Sequence, residues 1–219
     1  MNDSNGVLGF MKGLLADYPN LSACEGQITE AFEILRGAFA QGGKLLLCGN
    51  GGSAADCDHI AGELMKGFLL KRPLADPLKE RINHYAKGCR GIADNLADEL
   101  QRALPCVCLT GHAALSTAFA NDVNPNFAFA QQVTALGREG DALIGISTSG
   151  NAANVCCAVI AAKAAGVKTI GLTGKSGGRL AGICDAVVKV PDERTYKIQE
   201  YHLPIYHALC AMLEAEFFG

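Results

Sequence analysis

The chain has 219 residues, of which 49% are hydrophobic, and its formal net charge is -3. A chain of this length and composition can bury a full core, which predicts one domain spanning residues 1–219 and argues against disorder. Because 19 Lys and Arg residues face 22 Asp and Glu residues without any basic run, the charge pattern excludes a nucleic-acid or anionic-membrane partner and favours a small molecule.

The first residues and the cysteines indicate the compartment. The segment from Met1 to Gly6 has neither the basic nor the apolar stretch of a secretory signal. No apolar segment reaches about 18 residues free of charge and glycine, so none is expected to span a membrane. The ten cysteines contain no Cys-x-x-Cys pair, which favours buried, reduced thiols. We therefore expect a cytoplasmic protein.

Residues 1–41 have the spacing of N-terminal helices. Apolar side chains recur three or four positions apart, as at Ile28, Phe32 and Leu35, and Gly42 ends the pattern. The first of these helices either packs on its own domain or pairs with another subunit, and the sequence leaves both arrangements open.

Five short apolar runs predict the strands of a sheet. They are continuous, not alternating, which is typical of parallel strands covered on both faces, and Ala-rich or amphipathic segments lie between them. The sequence thus predicts an α/β protein with a doubly wound parallel sheet flanked by helices, whose ligand site lies at the carboxyl ends of the strands. The predicted strands are residues 44–48, 106–110, 142–147, 169–173 and 186–190.

A second long helical pattern follows the first strand and its helix, over residues 76–104. Asp76 is the predicted N-cap and Pro77 the first helical residue. Gly88 and Gly91 each weaken the helix by about 1 kcal/mol relative to Ala, which predicts a break between the two halves.

Turns rich in glycine and serine follow three of the predicted strands, at residues 49–53, 147–151 and 173–178. Backbone N–H groups and hydroxyls at the start of a helix bind phosphate without a basic cluster. An ordinary helix cap, worth about 1 kcal/mol, is the alternative for any single turn. Two such turns favour phosphate, and the absence of a Walker or Gly-x-Gly-x-x-Gly pattern favours a phosphorylated metabolite over a nucleotide.

Two sets of polar residues could supply chemistry beside these turns. His59 and Glu63 lie one helical turn apart on one face of a helix. They are either part of a functional site or an ordinary surface pair. A second polar set, Gln199, His202, Tyr206 and His207, interrupts an otherwise apolar final helix, expected from about residue 194 to 217, in which Pro204 predicts a kink or a new start. If the two sets meet, their donor atoms suit either a divalent metal such as zinc or acid/base catalysis.

The ordered series of motifs resembles the phosphoheptose (sedoheptulose 7-phosphate) isomerases of the sugar-isomerase (SIS) domain superfamily. The resemblance covers the chain except for about residues 69–105, and it implies a five-stranded SIS fold in which residues 70–105 are an extra helical insertion. It also implies a homotetramer with active sites between subunits and one zinc ion per subunit. The matching motifs are residues 48–53 with His59 and Glu63, then Asn121-Asp122, residues 145–151, residues 172–175, and residues 198–202 with His207.

The resemblance also assigns roles to residues. Glu63 would be the base and His207 the acid in converting sedoheptulose 7-phosphate to D-glycero-D-manno-heptose 7-phosphate through an enediol. The metal ligands would be His59, Glu63, Gln199 and His207. The substrate-binding positions would be Asn50, Gly51, Gly52, Ser53, Glu63, Asn121, Asp122, Ser147, Thr148, Ser149 and Gln199.

Two alternatives stay open at the level of sequence. A non-catalytic relative, the replication-initiator-associating protein, shares the first glycine turn but has no histidine at the position of His207, so that residue favours an enzyme. An isomerase of a different phosphosugar is the other alternative, because the 70–105 insertion could cap the crevice, extend an interface or simply decorate the surface. Ala152 and Lys66-Gly67 also depart from the family pattern.

Overall fold

The computed structural model describes residues 4–89 and 91–219. Residues 1–3 of the predicted N-terminal helical region and residue 90 of the predicted insertion therefore lie outside the described residues. Helices α1 (Ser4–Asp17) and α2 (Glu25–Ala40) precede the sheet and are joined by a 3₁₀ turn, Pro19–Cys24. The helices expected before the sheet are thus present.

The five predicted strands form one parallel sheet with the order β2-β1-β3-β4-β5. Since β2 and β3 lie on opposite sides of β1, the direction of winding reverses between β1 and β3, and ligands bind at such a crevice. The prediction of a doubly wound five-stranded parallel sheet is confirmed. The strands are β1 (Leu45–Gly49), β2 (Cys106–Cys108), β3 (Ala142–Ile146), β4 (Lys168–Thr173) and β5 (Ala186–Lys189).

Helices cover both faces of the sheet. The crossover helices are α3 (Gly52–Met65), α6 (Ala113–Asp122), α7 (Ala128–Leu136), α8 (Ala153–Ala164) and α9 (Leu180–Ile183), and the last helix is α10 (Thr195–Phe218). Successive strand residues point to opposite faces. Leu45 and Leu47 accordingly belong to the core under α1, α2, α3 and α10, whereas Leu46 and Cys48 belong to the core under α7 and α8.

The segment predicted as an insertion contains α4 (Asp76–Ala86) and α5 (Leu96–Glu99), with turns between them that contain Gly88 and Gly91. The predicted break is therefore present. The predicted N-cap is wrong by one residue, because Ala75 is the cap and Asp76 is already helical. At its base, Pro73 and Gln101 form an antiparallel bridge, and the N–H of Arg102 donates to the carbonyl of Arg72 at 2.7 Å. The chain leaves the fold and returns to it at nearly the same place.

Pro204 lies inside α10, which runs without interruption from Thr195 to Phe218. A new helix start at Pro204 is therefore not observed. None of the described helices is both long enough and apolar enough to cross a membrane. All ten cysteines are free thiols, and Cys48, Cys106 and Cys156 are buried as expected.

Candidate active site

Two of the Gly/Ser turns lie side by side at the carboxyl edge of the sheet. The last residues of β1 and β3, Gly49 and Ile146, are paired in the sheet register. Just beyond them, the side-chain amides of Asn50 and Asn154 exchange two hydrogen bonds, of 2.9 and 2.8 Å. This amide pair ties the start of α3 to the start of α8, so the positive ends of both helices border one crevice.

The first turn depends on glycine at two positions. Gly51 has φ of +56° and precedes α3, a conformation that other residues rarely adopt. A Cβ atom added to Gly52 would lie 2.5 Å from Nε2 of Gln199, so the tip of the Gln199 side chain lies against the turn and would have to move if Gly52 were replaced. The structure thereby brings Gln199 to the first turn, as the sequence predicts.

The second turn presents its three hydroxyl residues at different depths. Ser147 is buried and its Oγ accepts from the N–H of Ala152 at 3.4 Å. Ser149 is exposed, and its Oγ accepts from the N–H of Asn151 at 3.2 Å. Thr148 is half-buried between them. In the first turn, Ser53 is buried, with its N–H donating to the carbonyl of Asn50 at 3.1 Å.

The two polar sets predicted to meet do so at His59, Glu63 and His207. Nε2 of His59 lies 3.2 Å from Oε1 of Glu63 and 3.4 Å from Nε2 of His207. These contacts join α3 to α10, although the residues are almost 150 positions apart in the chain. The Glu63 side chain is only 14% exposed and its other oxygen contacts Nζ of Lys66 at 3.0 Å. Burial, and then the neighbouring His59 ring, lower the pKa of His207.

Asp56 and Tyr206 extend this cluster inward, and sequence reasoning assigned neither a role in the site. The Tyr206 hydroxyl lies 3.0 Å from Nδ1 of His59 and 3.3 Å from Oδ1 of Asp56. Burial raises the pKa of Asp56, and burial together with the Asp56 charge raises the pKa of Tyr206. Asp56 is one helical turn before His59, which is the only sequence signal that could have suggested it.

A buried ion pair supports the end of α3 that carries Glu63. Nε of Arg72 donates to Oε1 of Glu214 at 2.7 Å, and both side chains are fully buried. Arg72 also donates to the backbone carbonyls of Leu64 and Glu63, at 2.8 and 3.2 Å. Although burial would raise the pKa of Glu214, hydrogen bonds from backbone N–H groups and from Arg72 hold it below its ordinary value. Sequence reasoning did not identify this pair.

Asn121 and Asp122 are not brought to this cluster. They are exposed at the end of α6, where the Asn121 amide donates to Oδ1 of Asp122 at 2.8 Å. Helix α6 packs on α7 and on the 3₁₀ turn Pro125–Phe127. Within the described ranges, no hydrogen bond or ion pair joins either residue to His59, Glu63, Gln199 or His207.

The donor atoms of the cluster fit zinc in type and spacing. Imidazole nitrogens and carboxylate oxygens are common zinc ligands, and donors of a tetrahedral site with bonds of about 2.0 Å lie about 3.3 Å apart. The spacings of 3.2 and 3.4 Å at His59 agree with that value. Among residues 4–89 and 91–219, however, no three His, Cys, Asp or Glu side chains are grouped so that they could hold a metal ion, so the agreement is limited to these pairs of donor atoms.

A groove of about 650 Å³ lies elsewhere on the surface, between α6 and α7. Its lining is mainly apolar and includes Leu115, Ala135 and Leu136. It contains none of the paired acids and imidazoles that acid/base chemistry needs. We therefore place the chemistry at the His59 cluster, and not in this groove.

The sheet topology, the paired turns and the acid/imidazole cluster together define a SIS-domain protein. The family model described as "SIS domain" matches residues 20–88 and 90–174. The structure is also similar to solved phosphoheptose isomerases. The enzyme from Neisseria gonorrhoeae has a TM-score of 0.71 and 34% identity, covering 94% of this chain and 95% of that chain. For the enzyme from Francisella tularensis the TM-score is 0.73 and the identity 30%, with 97% and 98% covered.

Sequence comparison gives the particular family. The phosphoheptose isomerase of Desulfovibrio desulfuricans is 42% identical over 180 residues, which are 82% of this chain and 72% of that protein. That of Aneurinibacillus thermoaerophilus is 38% identical over 207 residues, or 94% and 88%. The chain belongs to the phosphoheptose isomerase family of SIS-domain proteins. The prediction of an enzyme of the phosphosugar isomerase class is thereby confirmed.

Proposed function

We propose that the protein converts sedoheptulose 7-phosphate to D-glycero-D-manno-heptose 7-phosphate. The observation that carries this proposal is the meeting of Glu63 with the His59 and His207 imidazoles beside two Gly/Ser turns. A ketose-to-aldose conversion needs a carboxylate base and a proton donor close to adjacent carbons. The relatives in the comparisons are named for the same class of substrate.

The proposed reaction moves one proton between neighbouring carbons. Glu63 removes a proton from C1 of the open-chain ketose, while His207 protonates the carbonyl oxygen on C2, which gives an enediol. Glu63 then returns the proton to C2 and His207 takes the proton from the oxygen on C1, which completes the aldehyde.

The two turns would hold the phosphate of the substrate. Ser53, Ser147, Thr148 and Ser149 supply hydroxyls, and Gly51 and Gly52 leave room for close contact with the backbone. The starts of α3 and α8 stabilise negative charge there. Asn50, paired with Asn154, and Gln199 would contact the sugar hydroxyls.

We propose zinc as the metal of this site, held by His59, Glu63, Gln199 and His207. When bound, such an ion polarises the sugar carbonyl and stabilises charge that develops on oxygen. Binding requires neutral imidazoles, and the lowered pKa of His207 favours that state.

We further propose a homotetramer in the cytoplasm. The exposed position of Asn121 and Asp122, which make no hydrogen bond to the His59 cluster within the described residues, supports a site completed by a second subunit. Ten free cysteines support a reducing compartment. Light scattering of the purified protein tests the oligomer, and a single-subunit mass would contradict it.

The deciding experiment is an assay of the purified protein on a panel of phosphorylated ketoses that includes sedoheptulose 7-phosphate. We expect turnover of that sugar and a fall of about 10²- to 10⁴-fold in kcat for Glu63→Gln and His207→Asn. Glu30→Gln, which changes an exposed carboxylate on α2, is the matched control and should keep full activity. Full activity in both site variants would contradict the mechanism. Binding of phosphosugars without turnover would instead indicate a non-catalytic protein that resembles the replication-initiator-associating protein.

A further inference from the structure

The Tyr206 hydroxyl lies between His59 and Asp56 at the inner edge of the cluster. Its distances are 3.0 Å to Nδ1 of His59 and 3.3 Å to Oδ1 of Asp56, and Tyr206 itself is only 2% exposed. A phenol of this kind was not expected from the sequence to contact a candidate ligand. Its position raises the question of which atom carries each proton.

The Tyr206 hydroxyl donates its single proton to Oδ1 of Asp56, as an ionised carboxylate at that position requires. The phenol oxygen then has only lone pairs for His59, and Nδ1 of that ring must donate to it. A neutral His59 ring with its proton on Nδ1 has a free lone pair on Nε2, which is the atom that faces Glu63 and His207.

We propose that Tyr206 is a positioning residue that, together with Asp56, holds His59 in the Nδ1–H tautomer and directs the Nε2 lone pair into the site. This inference rests on the proposed function in one respect, which is that Nε2 of His59 is taken as a ligand of the proposed zinc ion. The inner partner of a ligating histidine is usually a carboxylate or a carbonyl; here a tyrosine from a different helix stands between the ring and the carboxylate.

Packing of the rings fixes the orientation as well as the tautomer. The His59 and Tyr206 rings meet edge to face at a centroid distance of 5.4 Å, and His59 and His207 do so at 4.9 Å. Rotation of the His59 ring by half a turn would put Cδ2 in the place of Nδ1 and Cε1 in the place of Nε2, which would break the bond to Tyr206 and turn Nε2 away from Glu63. Because Nε2 and Oε1 of Glu63 are both acceptors at 3.2 Å in the Nδ1–H tautomer, the space between them favours a cation.

The direct test is the ¹⁵N spectrum of histidine-labelled, metal-free protein at a pH where the imidazoles are neutral. We expect His59, assigned with a His59→Gln variant, to show Nδ1 as the protonated nitrogen. In Tyr206→Phe, which keeps the ring packing, this preference should be lost. Tyr201→Phe is the matched control, because it removes a hydroxyl from the same helix that bonds Asn20 and not His59; its His59 signals should be unchanged.

A second measurement tests the consequence for metal binding. Competition with a chromophoric chelator should show zinc affinity about 10- to 100-fold weaker in Tyr206→Phe than in the parent protein or in Tyr201→Phe. Thermal melts of all three proteins establish that they are folded. An Nε2–H tautomer in the parent protein, or a tautomer and affinity unaffected by Tyr206→Phe, would overturn the proposal. The expected tautomer in a protein without turnover would contradict only the proposed function.

Discussion

At the scale of single residues, His202 shows how burial in α10 sets the pH range of the protein. Its side chain is fully buried, its Nε2–H donates to the carbonyl of Thr173 at 3.3 Å, and its Nδ1 is buried without a partner. Burial lowers the pKa of His202 from 6.5 to about 4, and the bond to Thr173 offsets only part of that effect. The His202 imidazole is therefore neutral in the folded protein at neutral pH.

This lowered pKa predicts a loss of stability in acid. The unfolded chain takes up a proton near pH 6.5, whereas the folded chain does so only near pH 4. The contribution of neutral His202 to the free energy of unfolding is therefore complete above pH 6.5 and is lost as the pH falls toward 4. Lowering the pH from about 7.5 to about 4.5 should, through His202, reduce the free energy of unfolding by about 2.5 kcal/mol.

Urea unfolding of the parent protein and of His202→Gln at both pH values measures this effect. The variant lacks the titrating group but keeps a donor, so its stability should fall less between the two pH values. The other histidines titrate equally in both proteins and cancel in the comparison. Equal losses in both proteins would show that His202 is protonated as easily in the folded state as in the unfolded state.

Residue-level prediction from sequence succeeded where the signal was local. His59 and Glu63 are four positions apart on one helix, so their proximity follows from helix geometry alone. The contact of Tyr206 with Asp56 joins residues 150 positions apart, and only the packing of α10 against α3 creates it. For the same reason the pairing of Asn154 with Asn50 was not predictable from the sequence.

At the scale of elements, the Arg72–Glu214 pair joins three segments of the chain. Glu214 on α10 accepts from the N–H groups of Phe68, Leu69 and Leu70, at 2.8, 2.6 and 3.0 Å. Arg72 in turn binds the last carbonyls of α3. The segment after α3 is thus fastened to α10 by one carboxylate.

Arg72→Leu should therefore destabilise the fold by about 3 to 5 kcal/mol, because it leaves the Glu214 charge buried without its partner. Lys163→Ala provides the matched control, since Lys163 pairs with Asp185 at the surface, where such pairs contribute at most about 1 kcal/mol. Chemical unfolding monitored by circular dichroism gives both values. A loss for Arg72→Leu no larger than that of the control would mean that the backbone N–H groups alone satisfy Glu214.

Element boundaries followed the sequence closely where glycine or a continuous apolar run marked them. The strand runs and the break near Gly88 were predictable for this reason. The N-cap at Asp76 and a new helix start at Pro204 were wrong, because each prediction used one residue's propensity. Pro204 is a buried residue of α10, and packing over the rest of the helix outweighs the single backbone hydrogen bond that proline removes.

At the scale of the whole molecule, the insertion is nearly independent of the fold that carries the site. Helix α4 has no buried residue, and large side chains such as Tyr85 and Ile92 are exposed. The two ends of the segment approach each other, as shown by the ion pair of 3.1 Å between Lys79 and Asp98. A short link can therefore replace what lies between them.

Replacement of residues 80–95 by a four-residue Gly/Ser linker, which keeps the buried Ala97, should change the unfolding free energy by no more than about 1 kcal/mol. We expect kcat/KM for the heptose phosphate to be retained. A control that inserts the same linker after Gly88 keeps both helices. If turnover is lost on replacement but kept in the control, the insertion contacts the substrate. If the oligomer is lost on replacement, the insertion belongs to a subunit interface.

The pairing of Asn50 with Asn154 has a consequence for the chemical lifetime of the protein. In an Asn-Gly sequence the glycine nitrogen can attack the side-chain amide, which releases ammonia and leaves an acidic residue, and asparagine is for such reasons a thermolabile residue. The two bonds to Asn154 hold the Asn50 amide in place. Asn154→Ala should therefore age faster, as mass spectrometry of the Asn50 peptide after warm storage would show, whereas equal ageing would exclude this protection. An acid formed there would repel the phosphate that we propose to bind at this turn.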